Sequence, residues 1–420
     1  MKSYPDSVRF LYSLGNEIKA VKFGLETIQL VLERMGHPER CAKFIHVAGT
    51  NGKGSTCAMM DSALRAAGLR TGLYTSPHLL EPTERIRIDG QAVSAADFAR
   101  AFDAVHEVSE AMLAEGAIEH HPTYFETVTA MAFLLFRERG VEWVVLETGL
   151  GGRLDATNVV RPEIAVITPI DYDHEAFLGK TIESIAGEKA GILKAGVPAV
   201  IAPQRPDAEV VLLRRATELG CEVLRAGEVP VEVRGRRDGV DVTVRDALFA
   251  CPLPGAHQAQ NVTTAVLALR RVGIAEEAIH AGIANVRWPG RMEQVAERPE
   301  IVLDGAHNPA GVRVLAAHLR EHYAGRKVWL IYGTMRDKSI GEIADVLFPL
   351  VQELILTAPD SPRSLEPGSL LKICGHARAR VAGCLKDALA IVRAEAAEED
   401  AVFISGSLFL VGEARALLVQ

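Results

Sequence analysis

One stretch constrains this chain more than any other: Phe44-Ile45-His46-Val47-Ala48, then Gly49-Thr50-Asn51-Gly52-Lys53-Gly54-Ser55-Thr56. The apolar run reads as a buried strand. The glycines make a tight turn, and the lysine and hydroxyls open a helix over Cys57 to Ala67. A strand that turns through glycines into a helix makes a cradle for oxygen anions. Backbone N–H groups close on the ligand, and the N-terminus of the helix adds its dipole. Lys53 would bring a mobile positive charge to the outer phosphates, and Ser55 or Thr56 would reach a bound Mg²⁺. The alternative for the same stretch is a tight strand–helix turn with a surface lysine.

At 420 residues two domains are expected, because one hydrophobic core seldom grows so large. Hydrophobic residues are 48% and charged residues 24%, a globular balance. The net charge of −8 argues against a general nucleic-acid surface. No apolar run is long enough to span a bilayer, and Met1 to Asp6 carries no signal-peptide core. Six scattered cysteines without a Cys-x-x-Cys read as reduced thiols of a cytoplasmic protein.

Along the chain, Ser7 to Met35 has helical spacing, ended by Gly36-His37-Pro38. After the cradle, Arg70 to Thr75 reads as a strand, followed by the polar segment Ser76-Pro77-His78 through Ile88. A loop leaving the C-terminal end of a parallel strand lies where α/β sheets bind ligands, although an ordinary surface loop reads the same. Helices are expected over Ala95–Ala114 and Thr123–Arg137. Glu126 lies among apolar residues of the second, so it needs a partner, either a salt bridge or a metal. Trp143 to Glu147 reads as a buried strand ending in a glycine-rich run, Thr148 to Asn158. Ile164 to Thr168 leads to Asp173-His174, where the histidine either ligates a metal or caps a helix. Lys189 lies in a helix begun near Leu178 and running through Leu193, where a lysine ordinarily snorkels to solvent. Further alternation of strands and helices follows. A hairpin is expected around Asp238-Gly239, and a helix over Gln258 to Val272 that contains Asn261. Trp288-Pro289-Gly290-Arg291 reads as a hinge, so the domains are expected at 1–289 and 290–420. In the second, a strand over Glu300 to Leu303 delivers Asp304 and His307 into a tight loop, and a helix starts at Pro309. Both halves read as parallel-sheet α/β domains, with the cleft between them the expected active site.

The ordered set of motifs resembles the folate branch of the Mur ligases, the folylpolyglutamate and dihydrofolate synthases. It comprises Gly49-Thr50-Asn51-Gly52-Lys53-Gly54-Ser55, Thr75-Ser76-Pro77-His78 with Glu84-Arg85, Tyr124-Phe125-Glu126, Glu147-Thr148-Gly149-Leu150-Gly151-Gly152-Arg153-Leu154-Asp155-Ala156-Thr157-Asn158, Asp173-His174, Lys189-Ala190-Gly191, Trp288-Pro289-Gly290-Arg291 and Asp304-Gly305-Ala306-His307-Asn308-Pro309. The resemblance implies a P-loop-type ATP-binding domain and a smaller Rossmann-like domain. It implies nucleotide contacts at Gly49 to Thr56, Asn261, Arg291 and Asp304. It places metal ligands at Ser76, Glu126, Glu147, His174 and Lys189, with two Mg²⁺ sites and a carbamylated Lys189. It implies catalytic roles for Lys53, His174, Lys189, Asp304 and His307, and substrate contacts at Pro77, His78, Arg85 and Asp155, the last linked to the pterin.

The implied reaction is ATP-dependent addition of L-glutamate to dihydropteroate, to a reduced folate, or to both, by a cytoplasmic monomer with no nucleic-acid or membrane partner. A carboxylate is inert to an amine until ATP converts it to an acyl phosphate, which explains the cradle, the cations and the metal together. Three rivals compete. A muramoyl-type ligase would need a separate N-terminal domain, and the cradle begins too early for one. A kinase or nucleotide switch would release no phosphate coupled to an amide. A non-catalytic nucleotide binder would have no use for a second metal site.

Overall fold

The computed structural model describes residues 3–14, 24–336 and 340–419. The expected helical segment at the N-terminus falls partly outside them. Its described parts are α1 (Tyr4–Ser13) and α2 (Glu26–Arg34). The chain forms two compact units. The first comprises 1–231, 244–249 and 260–286, and the second 232–243, 250–259 and 287–420. The last of these divisions, 286/287, lies close to the expected boundary at 289/290, and the hairpin around Asp238 groups with the C-terminal residues.

Among the described residues, eight strands form the sheet of the first unit: β1 (Lys43–Ala48), β2 (Thr71–Tyr74), β3 (Ile86–Ile88), β4 (Gln91–Ala92), β5 (Trp143–Glu147), β6 (Ile164–Ile167), β7 (Ala199–Ile201) and β8 (Val223–Arg225). Their order is β4-β3-β2-β5-β1-β6-β7-β8. The six strands from β2 to β8 in that order run parallel. β3 and β4 are antiparallel additions at one edge. They come from the polar segment after β2, which the sequence suggests is loop. β1, β5 and β6 are almost wholly buried, as expected for parallel strands covered on both faces.

Helix α3 (Lys53–Ala66) leaves β1 directly. Next come α4 (Ala95–Ala114), held at its start by the Ser94 hydroxyl accepting from the Asp97 N–H, and α5 (Tyr124–Glu138). These, with α1 and α2, cover one face of the sheet around Phe98, Phe102, Phe133 and Phe136. The helices Ile182–Lys189 and Pro206–Glu218 contribute to a second core around Ile167, Ile185 and Leu212.

A three-stranded sheet follows, β9 (Val231–Arg236), β10 (Gly239–Val244) and β11 (Ala247–Cys251), so the expected hairpin forms. The second unit's sheet is β12 (Glu293–Glu297), β13 (Glu300–Asp304), β14 (Val328–Tyr332), β15 (Glu353–Leu356), β16 (Ala379–Val381) and β17 (Ala401–Ser405), ordered β12-β13-β17-β14-β15-β16. It is parallel except for β12. Its core lies around Leu315, Leu330, Leu347 and Phe403.

The cradle helix α3 is clamped from behind by the helix Glu276–Ala284. Gly282 makes this possible, since a Cβ there would fall 2.3 Å from Cα of Ala63. Backbone cannot move aside as a side-chain tip can, so the helices must part. Gly282→Val is expected to destabilise the protein by about 3 kcal/mol in urea unfolding; an unchanged midpoint would show that the two helices adapt freely.

Candidate active site

Pairing register sets the site. Val47 pairs with Glu147, and Ala48 with Ile167, so the C-terminal ends of β5, β1 and β6 lie side by side. Tyr74 pairs with Leu146, which brings the end of β2 alongside as well. Four separate stretches of sequence therefore deliver their loops to one edge of one sheet: Gly49 onward, Thr75 onward, Thr148 onward and Thr168 onward. This is the edge where parallel α/β sheets bind ligands.

The loop after β1 is held in place from within the protein. The N–H groups of Thr50 and Asn51 donate to the Pro169 carbonyl at 3.0 and 3.1 Å. The Thr50 hydroxyl donates to the Asp171 carbonyl and accepts from the Asp171 N–H, both at 3.1 Å. Gly52 has φ +82°, and a Cβ there would fall 2.3 Å from Oδ1 of Asn261, so the asparagine lies directly against the cradle. Lys53 curls back over its own loop, donating to the carbonyls of Gly49 at 3.1 Å and Thr50 at 3.3 Å, with Oε1 of Glu147 at 4.0 Å. The ammonium is held over the loop by weak, exchangeable partners.

Lys189 does not snorkel. It is 5% exposed, and its Nζ donates to the Gly49 carbonyl at 2.7 Å. Burial, together with the nearby Lys53 charge, brings its pKa down to about 7, while Asp173 and Asp155 oppose the shift. A substantial fraction of the amine is therefore uncharged and nucleophilic near neutrality.

Glu147 sits at the end of β5, 3% exposed, and its Oε2 accepts from the Ser76 N–H at 3.1 Å. On α3 the Thr56 hydroxyl is buried without a partner. Carboxylate and hydroxyl oxygens are the hard donors Mg²⁺ takes. Glu147, Ser76 and Thr56 therefore fit such an ion.

Glu126 lies in the first turn of α5. Its Oε2 accepts from the N–H and the hydroxyl of Thr123, both at 2.8 Å, and the Thr123 hydroxyl accepts from the Glu126 N–H in return. This reciprocal cap opens α5, and the partner that Glu126 needs is Thr123 rather than a salt bridge. His174 precedes the short helix Glu175–Leu178 at φ 53°, without a side-chain cap, and its Nε2 is 3.8 Å from Asp173.

Asp155 is buried and engaged on both oxygens. Oδ2 accepts from the N–H groups of Gly149 and Leu150, both at 2.9 Å. Oδ1 accepts from the Thr157 N–H at 3.0 Å and from its hydroxyl. The Thr157 hydroxyl also meets Nε2 of His46 at 2.8 Å. Burial pushes the Asp155 carboxyl up while four donors pull it back. The geometry thus gives Asp155 a part in folding the glycine-rich loop after β5.

The segment after β2 makes a second cluster. Nε of Arg85 donates to Nδ1 of His78 at 2.8 Å, and Nε2 of His78 meets the Tyr12 hydroxyl at 3.4 Å. The Arg85 guanidinium lies 5.2 Å from the ring centre of Tyr124, and Tyr12 stacks on Tyr124 at 5.7 Å. Burial beside Arg85 pushes the His78 pKa down to about 3, so the imidazole is neutral and its Nδ1 is an acceptor. Tyr12 and Tyr124 are additions to the expected site residues. Their sequence separation from His78 and Arg85 gave no signal that they would meet.

In the second unit, β13 ends at Asp304. Its carboxylate accepts from the N–H groups of Met292 and Ala306, both at 3.0 Å, tying the turn after Arg291 to the turn after β13. Burial raises the Asp304 carboxyl and Arg291 opposes this. The Arg291 guanidinium donates to the Gly290 carbonyl at 3.2 Å, and Nδ1 of His307 meets the Gly305 carbonyl at 2.8 Å.

Residues 47–269 match the Mur ligase middle domain, and residues 290–408 match the Mur ligase glutamate ligase domain. A probable bifunctional folylpolyglutamate synthase/dihydropteroate synthase of Haloferax volcanii is 37% identical over 98% of this chain. The chain spans only 50% of that relative. The dihydrofolate synthase/folylpolyglutamate synthase of Bacillus subtilis is 34% identical, covering 94% of this chain and 95% of the relative. Among solved structures, E. coli FolC in complex with DHPP and ADP superposes with TM-score 0.88 at 33% identity, over 99% of both chains.

Two outcomes are expected. Asp155→Ala leaves three buried N–H groups and a hydroxyl without their acceptor, and should lower unfolding stability by about 3–5 kcal/mol. A loss below about 1 kcal/mol would contradict the loop-folding role. The second concerns Lys189, whose folded pKa lies below its unfolded value near ~10.4. Between about 7 and that value the unfolded chain holds the extra proton, so Lys189 adds a rise of stability with pH. Replacement by Met should remove that rise, leaving the variant's relative stability greatest at and below about pH 7. Parallel stability profiles of the two proteins would refute the buried amine.

Proposed function

The chain belongs to the Mur ligase family, in its folylpolyglutamate and dihydrofolate synthase branch, and is an ATP-dependent ligase. On that premise we propose that it joins the amine of L-glutamate to the carboxylate of dihydropteroate, of a reduced folate, or of both. The observation that carries this reading is the gathering of Lys53, Lys189, Glu147 and the anion-binding loop at one sheet edge, fixed by the register of β1 with β5 and β6.

The acceptor's carboxylate oxygen attacks the γ-phosphorus of ATP, ADP leaves, and an acyl phosphate forms. The glutamate amine then attacks the acyl carbon, phosphate departs, and the amine gives up a proton. Lys53 follows the phosphate charge, exchanging its two carbonyl partners for phosphate oxygens. Loop N–H groups and the N-terminus of α3 hold the transferring group in line. Mg²⁺, held by Glu147 with the hydroxyls of Ser76 and Thr56, would neutralise phosphate charge. Lys189, uncharged in part near pH 7, bonds its amine nitrogen to the carbon of CO2, releases a proton to solvent, and becomes a carbamate anion beside the cradle. His174 is assigned to the same second metal site. Asn261, which lies against Gly52, is assigned to the nucleotide, and so are Arg291, Asp304 and His307.

For the acceptor, the neutral His78, the Arg85 guanidinium and the exposed Tyr12 ring offer what a flat heteroaromatic ring with a polar edge requires: a ring face, a cation and an imidazole N–H. Glu126 keeps its capping role. Six free cysteines fit the reading of a reducing compartment, and monomer is the proposed state.

The test is phosphate release from Mg-ATP and L-glutamate with dihydropteroate or tetrahydrofolate supplied separately, with product masses recorded. Gain of one glutamate on either acceptor supports the ligase, and silence on both in bicarbonate overturns it. Lys53→Ala should lose about a hundredfold or more in kcat. Lys189→Ala should lose most activity while retaining ATP binding, and with it a carbamate signal seen in ¹³C-bicarbonate. Arg85→Ala should raise KM for the pterin acceptor and leave KM for ATP near its original value.

A further inference from the structure

Away from the sheet edge, three side chains of the first unit converge where no role has been assigned to them. His106 and Glu110 stand one turn apart on α4, and His121 lies in the segment between α4 and α5. Nε2 of His121 is 3.3 Å from Oε1 of Glu110, and Nε2 of His106 is 3.6 Å from the same oxygen. One ligand atom from each residue fits within a span of 4.8 Å. Two imidazoles and a carboxylate bound tetrahedrally at about 2.0–2.1 Å would place their donors about 3.4 Å apart, so two of the three separations already have the required size.

The imidazoles are also held in position. Phe10 of α1 meets His106 edge-on at 4.6 Å between ring centres and His121 at 5.7 Å. Phe102 stacks on His106 at 5.3 Å, and the two histidines stack on each other at 5.8 Å. An apolar wall therefore backs the rings on one side, while the Glu110 carboxylate, 54% exposed, leaves the other side open for an ion to enter. The packed rings hold the imidazoles in place, so little side-chain ordering remains to be done when an ion enters.

We propose that His106, Glu110 and His121 form a binding site for a borderline divalent transition-metal ion of the Zn²⁺ type, with water as the fourth ligand. Imidazole with carboxylate selects such ions over Mg²⁺ and Ca²⁺, which prefer all-oxygen shells. The ion staples the segment before α5 to α4. Three residues beyond His121, that segment delivers Tyr124, which stacks on Tyr12 and lies under Arg85. Because the three donors meet only in the folded protein, the ion binds the native state in preference to the unfolded chain and steadies the start of α5.

The test uses untagged full-length protein stripped with chelator, then titrated with Zn²⁺ and separately with Co²⁺ in excess Mg-ADP to keep the phosphate cradle filled. The comparison is with Glu110→Gln and His121→Gln. Glu110 is exposed, so its variant should fold normally. The expected result is one more Zn²⁺ equivalent bound by the unaltered protein than by either variant, or binding at least tenfold tighter. A visible Co²⁺ band of tetrahedral intensity should be confined to the unaltered protein. Saturating Zn²⁺ should raise its Tm by about 2 °C or more and leave the variants unmoved. Ligase turnover in Mg-ATP without zinc should be the same in all three. Equal Zn²⁺ stoichiometry and affinity in the three proteins, or a Co²⁺ band that survives both substitutions, would overturn the site.

Discussion

The parallel pairing of β1 between β5 and β6 is the constraint on which the rest depends. It is buried, and its register is specified by apolar side chains on both faces, so the ends of the three strands cannot slip past one another without exposing the core. That rigidity is what lets a loop of small and polar residues hold its shape. The Thr50 and Asn51 N–H groups already have an acceptor in the Pro169 carbonyl, supplied by the chain just beyond β6. The cradle is thus built by neighbours of β1 as much as by its own glycines.

Charge is arranged around the same edge with few direct ion pairs. Lys53 lies within 4.0 Å of Glu147 but hydrogen-bonds carbonyls, and Lys189 has a carbonyl as its hydrogen-bond acceptor. Two lysines this close to one loop repel each other, and burial penalises the inner one further. The protein answers by letting the inner amine lose its proton, whereas the outer one keeps contact with solvent. Incoming phosphates would relieve the repulsion, so the unliganded arrangement is tuned to a multiply charged anion.

The backbone of this arrangement was readable in the residues. Val47 to Thr56 announces a strand, a turn and a helix through composition alone, and Trp143 to Glu147 declares a buried strand ending in an acid. Helix Gln258–Arg271 and the hairpin around Asp238 appear where spacing puts them. What periodicity could not supply was pairing at a distance. β3, β4 and β12 are short antiparallel strands at the margins of their sheets, and their residues alternate too briefly to stand out from loop. Glu126 reads as an acid in need of a distant partner, whereas its partner stands three residues away. Asp155 illustrates the reverse: a motif residue that invites a ligand role has its oxygens filled by the loop it organises. Helical spacing around Lys189 says nothing about its acceptor, a carbonyl 140 residues earlier in the chain.

The path of the chain between its two units has a practical meaning for anyone who would divide it. The units exchange chain at 231/232, 243/244, 249/250, 259/260 and 286/287. A fragment ending at the Pro-Gly pair near residue 289 would carry Val240, Val242 and Cys251, all buried, without the C-terminal residues their segments cluster with. The visible punctuation in the sequence is therefore a poor place to cut. Each unit draws on more than one stretch of the chain, so a cut at that point parts residues that pack together.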